Sequence, residues 1–229
     1  MCFVATAAPC RVCAPVADCV VLVPMLGRAD MVPALVESLQ VSTDRARPLF
    51  IVTAGDTDVA DAVRLYDLTT MAPRTKGDYA AKINEGYRQS TEPLIFLGAI
   101  DIRFTPGWLE ACERRLKAGA QVVGTNDRCN RRTATGDLST HTLVTRQYAD
   151  RGTIDGPGIL HEGYPHECCD DELVQTAKYR GVYAHAHDAV VEHHHWMNGK
   201  RPRDQVDADY EARMWAGRRL LARRSRLWA

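Results

Sequence analysis

An open, mostly parallel α/β sheet with helices on both faces is the fold class this sequence predicts, and three observations carry it. Short apolar, β-branched runs alternate with amphipathic helical stretches from residue 18 to residue 124. The runs lack the polar alternation of half-exposed strands, so they belong to strands covered on both faces. With 45% hydrophobic and 25% charged residues in 229, the chain can bury one core of ordinary domain size without staples.

The first strand is residues 18–24, ending at Pro24. Residues 31–40 follow as a helix, with Val32, Leu35, Val36 and Leu39 on one face and Asp30 as its expected N-cap. Residues 48–53 make a second strand and 58–68 a second helix. A third helix spans 79–89, with Ala80, Ile83 and Tyr87 on one side. Residues 94–98 read as a strand, 106–118 as a helix and 121–124 as a strand, joined by right-handed crossovers. The stretch 126–158 is rich in Thr, Asp, Gly and Arg, with a short strand at 142–145, and reads as a binding surface. Helical spacing returns over 169–181 through Leu173, Val174 and Ala177; residues 181–185 and 189–193 close the sheet as two strands, and 207–228 form an Arg-rich tail helix. There is no internal repeat and no low-complexity linker. The expected organisation is a flexible extension (1–17), one domain (18–198, divided near 125 into a nucleotide-binding half and an acceptor-binding and catalytic half) and a helical tail (199–229).

Composition removes several functions. Twenty-nine basic residues balance twenty-nine acidic ones, so no chain-wide field draws the protein to duplex DNA or an anionic membrane. No stretch reaches the roughly 18 to 20 apolar residues that span a bilayer. The apolar N-terminus lacks the basic region of a secretory signal, so a cytoplasmic protein is expected. Eight cysteines, among them Cys2, Cys10 and Cys13 in the extension, form neither a disulfide framework nor a zinc-ligand pattern.

Four clusters fall where strands end, the place where open α/β sheets bind ligands: residues 24–28, 53–58, 98–103 and the acidic step Asp170-Asp171-Glu172. Asp101 could hold a divalent cation against a diphosphate, or simply cap the turn before the 106–118 helix. Asp170 to Glu172 open a helix, where the dipole favours carboxylates; three acids exceed that need, and crowding raises the pKa of one toward that of a general base. His193 and His195, alternate residues of an extended segment, could face the cleft together beside Asp101 and complete a site for manganese, magnesium or zinc; a plain surface histidine run is the alternative. His141, His161 and His166 fall in the half that shapes the acceptor pocket.

In order and spacing these landmarks resemble family 2 glycosyltransferases with the GT-A fold. The segments are Val23-Pro24-Met-Leu-Gly-Arg28, Thr53-Ala-Gly-Asp56, Lys82-Ile-Asn84-Glu-Gly86, Phe96-Leu-Gly-Ala-Ile-Asp101-Ile-Arg-Phe-Thr-Pro-Gly-Trp108 and Cys169-Asp170-Asp171-Glu172-Leu. The chain is most similar to compact members from actinobacteria and their phages, which would place it in a host cytoplasm if it is phage-encoded. The resemblance implies a GT-A (Rossmann-like) sheet, a nucleotide-sugar donor (usually a UDP-sugar) and inverting transfer. It implies that Pro24, Arg28, Ala54 and Asp56 surround the nucleoside and that Lys82 and Asn84 lie beside the nucleotide. Asp101 would hold the metal–diphosphate group with His193, and His195 nearby; Asp170 would be the base, with Asp171 beside it and Glu172 ordering the site. Thr140, His141, Arg146 and His166 are the acceptor contacts expected.

One departure is plain: where relatives carry a second acid, this chain has Ile100 before Asp101 and Arg103 after it. A manganese or magnesium ion held by Asp101, His193 and the phosphates is the favoured reading, against Arg103 supplying the charge directly, or weak or absent catalysis. A non-catalytic nucleotide-sugar or carbohydrate binding module is the alternative function. A sugar nucleotidyltransferase ranks lower because its Gly-rich phosphate loop is missing near the first strand. The acceptor hydroxyl belongs to a sugar, a lipid carrier, a protein or a modified DNA base, for which the Arg218 to Arg226 run offers phosphate contacts. Oligomeric state is not legible.

Overall fold

The computed structural model describes residues 17–73 and 78–229; the extension with Cys2, Cys10 and Cys13 lies outside the described residues. In chain order the elements are β1 (Cys19–Pro24), α1 (Val32–Ser42), β2 (Ala46–Thr53), α2 (Thr57–Val63), β3 (Asp67–Met71), α3 (Tyr79–Arg88), β4 (Leu94–Leu97), β5 (Ile102–Phe104) and α4 (Trp108–Lys117). They continue with β6 (Val122–Asn126), α5 (Arg131–Ala134), β7 (Thr142–Thr145), α6 (Arg146–Asp150), α7 (Cys169–Tyr179), β8 (Tyr183–His193) and α8 (Tyr210–Arg224). The strands form one eight-stranded sheet in the order β3-β2-β1-β4-β7-β6-β8-β5. Six strands run one way; β7 and β5 run against them.

The pleat of β1 explains the three layers. Val21 and Val23 point into a core shared with Leu35 of α1, Val63 of α2 and Trp108 of α4, whereas Val20 and Leu22 point into a second core with Ile83 of α3, Tyr148 of α6 and Leu173 of α7. An all-apolar strand is the consequence of covering both faces.

Several expectations change. The helix expected over 58–68 stops at Val63, and Asp67–Met71 instead pairs parallel with β2 as the sheet's edge, where its polar, half-exposed residues meet solvent. Asp30 lies in a short 3-10 turn, Ala29–Met31, and makes no N-cap; α1 starts at Val32 with no side-chain cap. The three residues of β5 were not foreseen as a strand, nor were α5 and α6 as helices. The two closing strands expected at 181–185 and 189–193 are one. β8 pairs parallel with β6 through its first half and, after a register shift beyond Ala186, antiparallel with β5 through its second, which sets His193 opposite Ile102.

Candidate functional site

The chain folds β1–α1–β2 to one side of β1 and places β4 on the other, so the crevice between the carboxyl ends of β1 and β4 is a switch point of the topology. Arg28 follows β1 into it in a left-handed conformation (φ 55°), and Asp101 follows β4. Asp101 is buried, at 4% exposure. Its Oδ1 lies 3.3 Å from His193 Nε2; its Oδ2 lies 3.4 Å from Arg28 and 3.3 Å from Arg201. Burial alone would raise its carboxyl pKa, but the His193 hydrogen bond and the charges of His193, Arg28 and Arg201 hold it well below the carboxylate range.

The tail contributes more to this site than any sequence pattern suggested. Between β8 and α8 an arm returns over the crevice. Arg201 donates to Asp207 at 2.6 and 3.0 Å, and Arg28 donates to Asp204 at 2.7 and 2.9 Å and to Asp207 at 2.9 Å. Asp204 and Asp207 also form a capping box around the short turn Gln205–Asp207. The signal available beforehand was the acid spacing Asp204-x-x-Asp207 in the tail that follows the histidines.

The second group surrounds the N-terminus of α7. Asp170 lies in its first turn, partly buried, beside Asp171, which receives a hydrogen bond from Arg132 at 2.7 Å. Burial, with the Asp171 charge added, pushes the Asp170 carboxyl up to about 8. Tyr79 donates to the Gly98 carbonyl at 3.1 Å and feels the charges of both Asp101 and Asp170, so the two groups share this neighbour. His166 packs on that ring with centroids 5.1 Å apart, and burial drops its pKa to about 4.

The remaining expected residues divide by location. His141 is buried beneath His193, ring centroids 4.9 Å apart; Nδ1 faces the Leu97 carbonyl, and burial together with the His193 charge lowers its pKa to about 4. Thr140 donates to Asp127, a buried carboxylate sequence reading missed, whose main-chain oxygen holds the His193 amide. His195 lies on the same side as His193, ring centroids 5.0 Å apart, but Nδ1 accepts from Met197. Pro24 ends β1, Ala54 is exposed after β2, and Asp56 caps α2 through Val59.

Lys82 and Asn84 are buried and turned inward. Lys82 donates to the Met25 carbonyl and pairs with Asp78, bracing the turn that carries Arg28; Asn84 binds the main chain of Ile159 and Leu160. Glu172 is buried against Arg224 of α8 and the Tyr164 hydroxyl, a link between α7 and the tail. The Arg103 guanidinium donates to the carbonyls of Ile100 and Ile102. Arg146 corrects an expectation: it follows β7, which runs antiparallel to β4, so it sits at the opposite end of the sheet, bound to Glu92 and Ser90. In the tail, Arg213 and Arg224 turn inward to Glu167, Glu172 and Asp155, whereas Arg218, Arg219, Arg223 and Arg226 are exposed.

Solved structures share this architecture. Glucosyl-3-phosphoglycerate synthase from Mycobacterium tuberculosis, crystallised with Mn2+, UDP and phosphoglyceric acid, superposes with a TM-score of 0.66 at 12% identity, over 92% of this chain and 78% of that one. The chain has the GT-A fold. A mannosyltransferase from Pyrobaculum calidifontis in complex with GDP-Man and Mn2+ matches with a TM-score of 0.59 at 13% identity, covering 95% of this chain and 79% of that one. The mycobacterial synthase with Mg2+ and UDP gives 0.61 at 14% identity, over 90% and 79%. No family model matches the sequence, and no curated protein does. Among the described residues no helix is long and apolar enough to cross a membrane.

Proposed function

We propose that this protein is an inverting glycosyltransferase that moves a sugar from a nucleoside-diphosphate donor, a UDP-sugar first among candidates, to an acceptor hydroxyl. The observation that carries the proposal is that Asp101, which follows β4 of a GT-A sheet, and Asp170, in the first turn of α7, both lie close enough to Tyr79 for their charges to act on it. The neighbours' UDP and GDP-Man support a nucleotide-sugar donor. In the reaction Asp170 takes the proton of the acceptor hydroxyl; the freed oxygen bonds to the anomeric carbon; the bond from that carbon to the diphosphate breaks, and its electron pair leaves with the diphosphate. A carboxyl poised near 8 is basic enough to take that proton when ionised. Thr140 and His166 are the acceptor contacts in this reading, while His141, buried beneath His193, supports that ring from below. The inward-turned Lys82, Asn84 and Glu172 keep the loops in place, with Pro24, Ala54 and Asp56 toward the nucleoside.

The neighbours hold Mn2+ or Mg2+, but the residues around Asp101 do not fit a cation in this conformation. A hard cation needs several oxygen ligands. Ile100 is apolar and buried, Oδ2 of Asp101 is taken by Arg28 and Arg201, which leaves Oδ1 and the His193 imidazole as the ligands on offer, and no three His, Cys, Asp or Glu residues among those described converge as ligands. The test of the base is Asp170→Asn: turnover of the donor is expected to fall by about three orders of magnitude or more, in line with loss of a general base, while the nucleoside diphosphate still binds. Undiminished turnover would remove Asp170 from its role.

A further inference from the structure

We infer that Arg28 and Arg201 form the diphosphate-binding site and take the place of a divalent cation, with the Asp204 and Asp207 carboxylates standing in for the phosphates until donor arrives. The inference rests on the proposed function. Arg201 is assigned by no sequence motif, yet its side chain is only 5% exposed, and that of Arg28 only 12%. Both converge on Oδ2 of Asp101, at 3.3 and 3.4 Å, from different parts of the chain. Asp101 thus orients two guanidinium groups through Oδ2, whereas a hard cation at this place would find one free carboxylate oxygen and the His193 imidazole, with Ile100 where a second acid would stand.

The geometry of the opposite face of this pair is that of anion recognition. Arg28 presents Nε and Nη2 as a fork to the two oxygens of Asp204, and Arg201 presents Nη1 and Nη2 to the two oxygens of Asp207. The same fork binds a phosphate bidentately, and it is the reason arginine is favoured for planar oxyanions. Two adjacent carboxylates on two adjacent guanidinium groups therefore have the chemistry of a diphosphate, placed where a parallel sheet binds its ligand. Three carboxylates face two guanidinium groups in this resting arrangement, an excess of negative charge that opposes an incoming diphosphate. Asp204, with its side chain 35% exposed, can turn outward and relieve it, while Arg201 stays fixed on Asp101.

Isothermal titration of UDP, GDP, ADP and dTDP, each in EDTA and in Mn2+, tests this directly. One diphosphate is expected to bind equally in both. Arg201→Ala should weaken it by about tenfold or more, the loss of a charged hydrogen bond. Because that variant leaves Asp101 and Asp207 short of a partner and can unfold, Asp204→Asn is the second arm: asparagine still caps the turn, so the fold persists, and binding in EDTA should tighten. Binding that requires Mn2+ and vanishes in EDTA overturns the inference and leaves the glycosyltransferase reading standing. An unchanged affinity in Asp204→Asn overturns the stand-in role. Binding of none of the four, with or without Mn2+, overturns both readings.

Discussion

Asp170 owes its character to its neighbours. A carboxylate at a helix N-terminus is ordinarily stabilised in its charged form; here burial and Asp171 outweigh the main-chain hydrogen bonds and push it up to about 8. Donor turnover should therefore rise with pH through about 8 and then level, a limb absent from nucleotide binding, which pH-rate profiles would show. The same shift bears on stability. The folded carboxyl keeps its proton where the unfolded one has lost it, so the associated stability is fully present below the usual Asp range and is lost as pH rises through about 8. Asp170→Asn is expected to flatten that decline, giving a higher Tm than wild type at pH 9; an equal Tm at pH 9 would contradict the shift. The acidic step was legible in sequence because three acids exceed what a helix start needs. Arg201, Asp204 and Asp207 were not, since each is an ordinary surface residue type and only the return of the chain makes them a site. Asp127 was hidden for the same reason, an isolated acid in a polar stretch.

At the scale of elements, legibility followed burial. The strands β1, β2 and β4 were readable because each carries an unbroken apolar run covered on both faces, Leu49 to Val52 in β2; β3 was not, because an edge strand with the sequence Asp-Leu-Thr-Thr-Met carries no such run. β5 and β8 define each other by pairing, and a register set across 90 residues leaves no local trace. That pairing nevertheless positions His193 beside Asp101. The misplacement of Arg146 has a related cause: strand direction is not written in composition, and β7 runs the opposite way. The approach of α8 to the loop before α7 gives a test at this scale. A Cβ on Gly217 would stand 2.5 Å from the Glu167 carbonyl oxygen and 3.2 Å from Cys168 Sγ. Gly217→Ala is expected to destabilise by about 1 to 3 kcal/mol despite alanine's better helix propensity, measured by urea unfolding. A gain in stability would show that the helix is not held against that loop.

In the molecule as a whole, the tail is part of the site rather than an appendage. Its arm pairs with Arg28 and Asp101, and α8 with the residues after it clamps α7 and the loops before it, through Arg213 to Glu167, Arg224 to Glu172 and Asp155, and Trp228 to Thr176. The division expected between a domain ending at 198 and a separate tail therefore does not describe how the crevice is built. The fold class was legible from the alternation of strands and helices, since a three-layer α/β molecule needs two cores and shows them in its strands. The carboxyl edge of the sheet, where Arg28 and Asp101 stand, was legible too; the way the chain closes over it was not. The reaction proposed for this crevice is glycosyl transfer from a nucleoside-diphosphate sugar. Its most direct measurement is the release of nucleoside diphosphate, followed by chromatography, when wild-type protein is incubated with UDP-, GDP-, ADP- and dTDP-sugars and a panel of hydroxyl acceptors, water among them. Steady release from one of them, absent in Asp170→Asn, is the result predicted; no release from any, by protein shown to be folded, would contradict it.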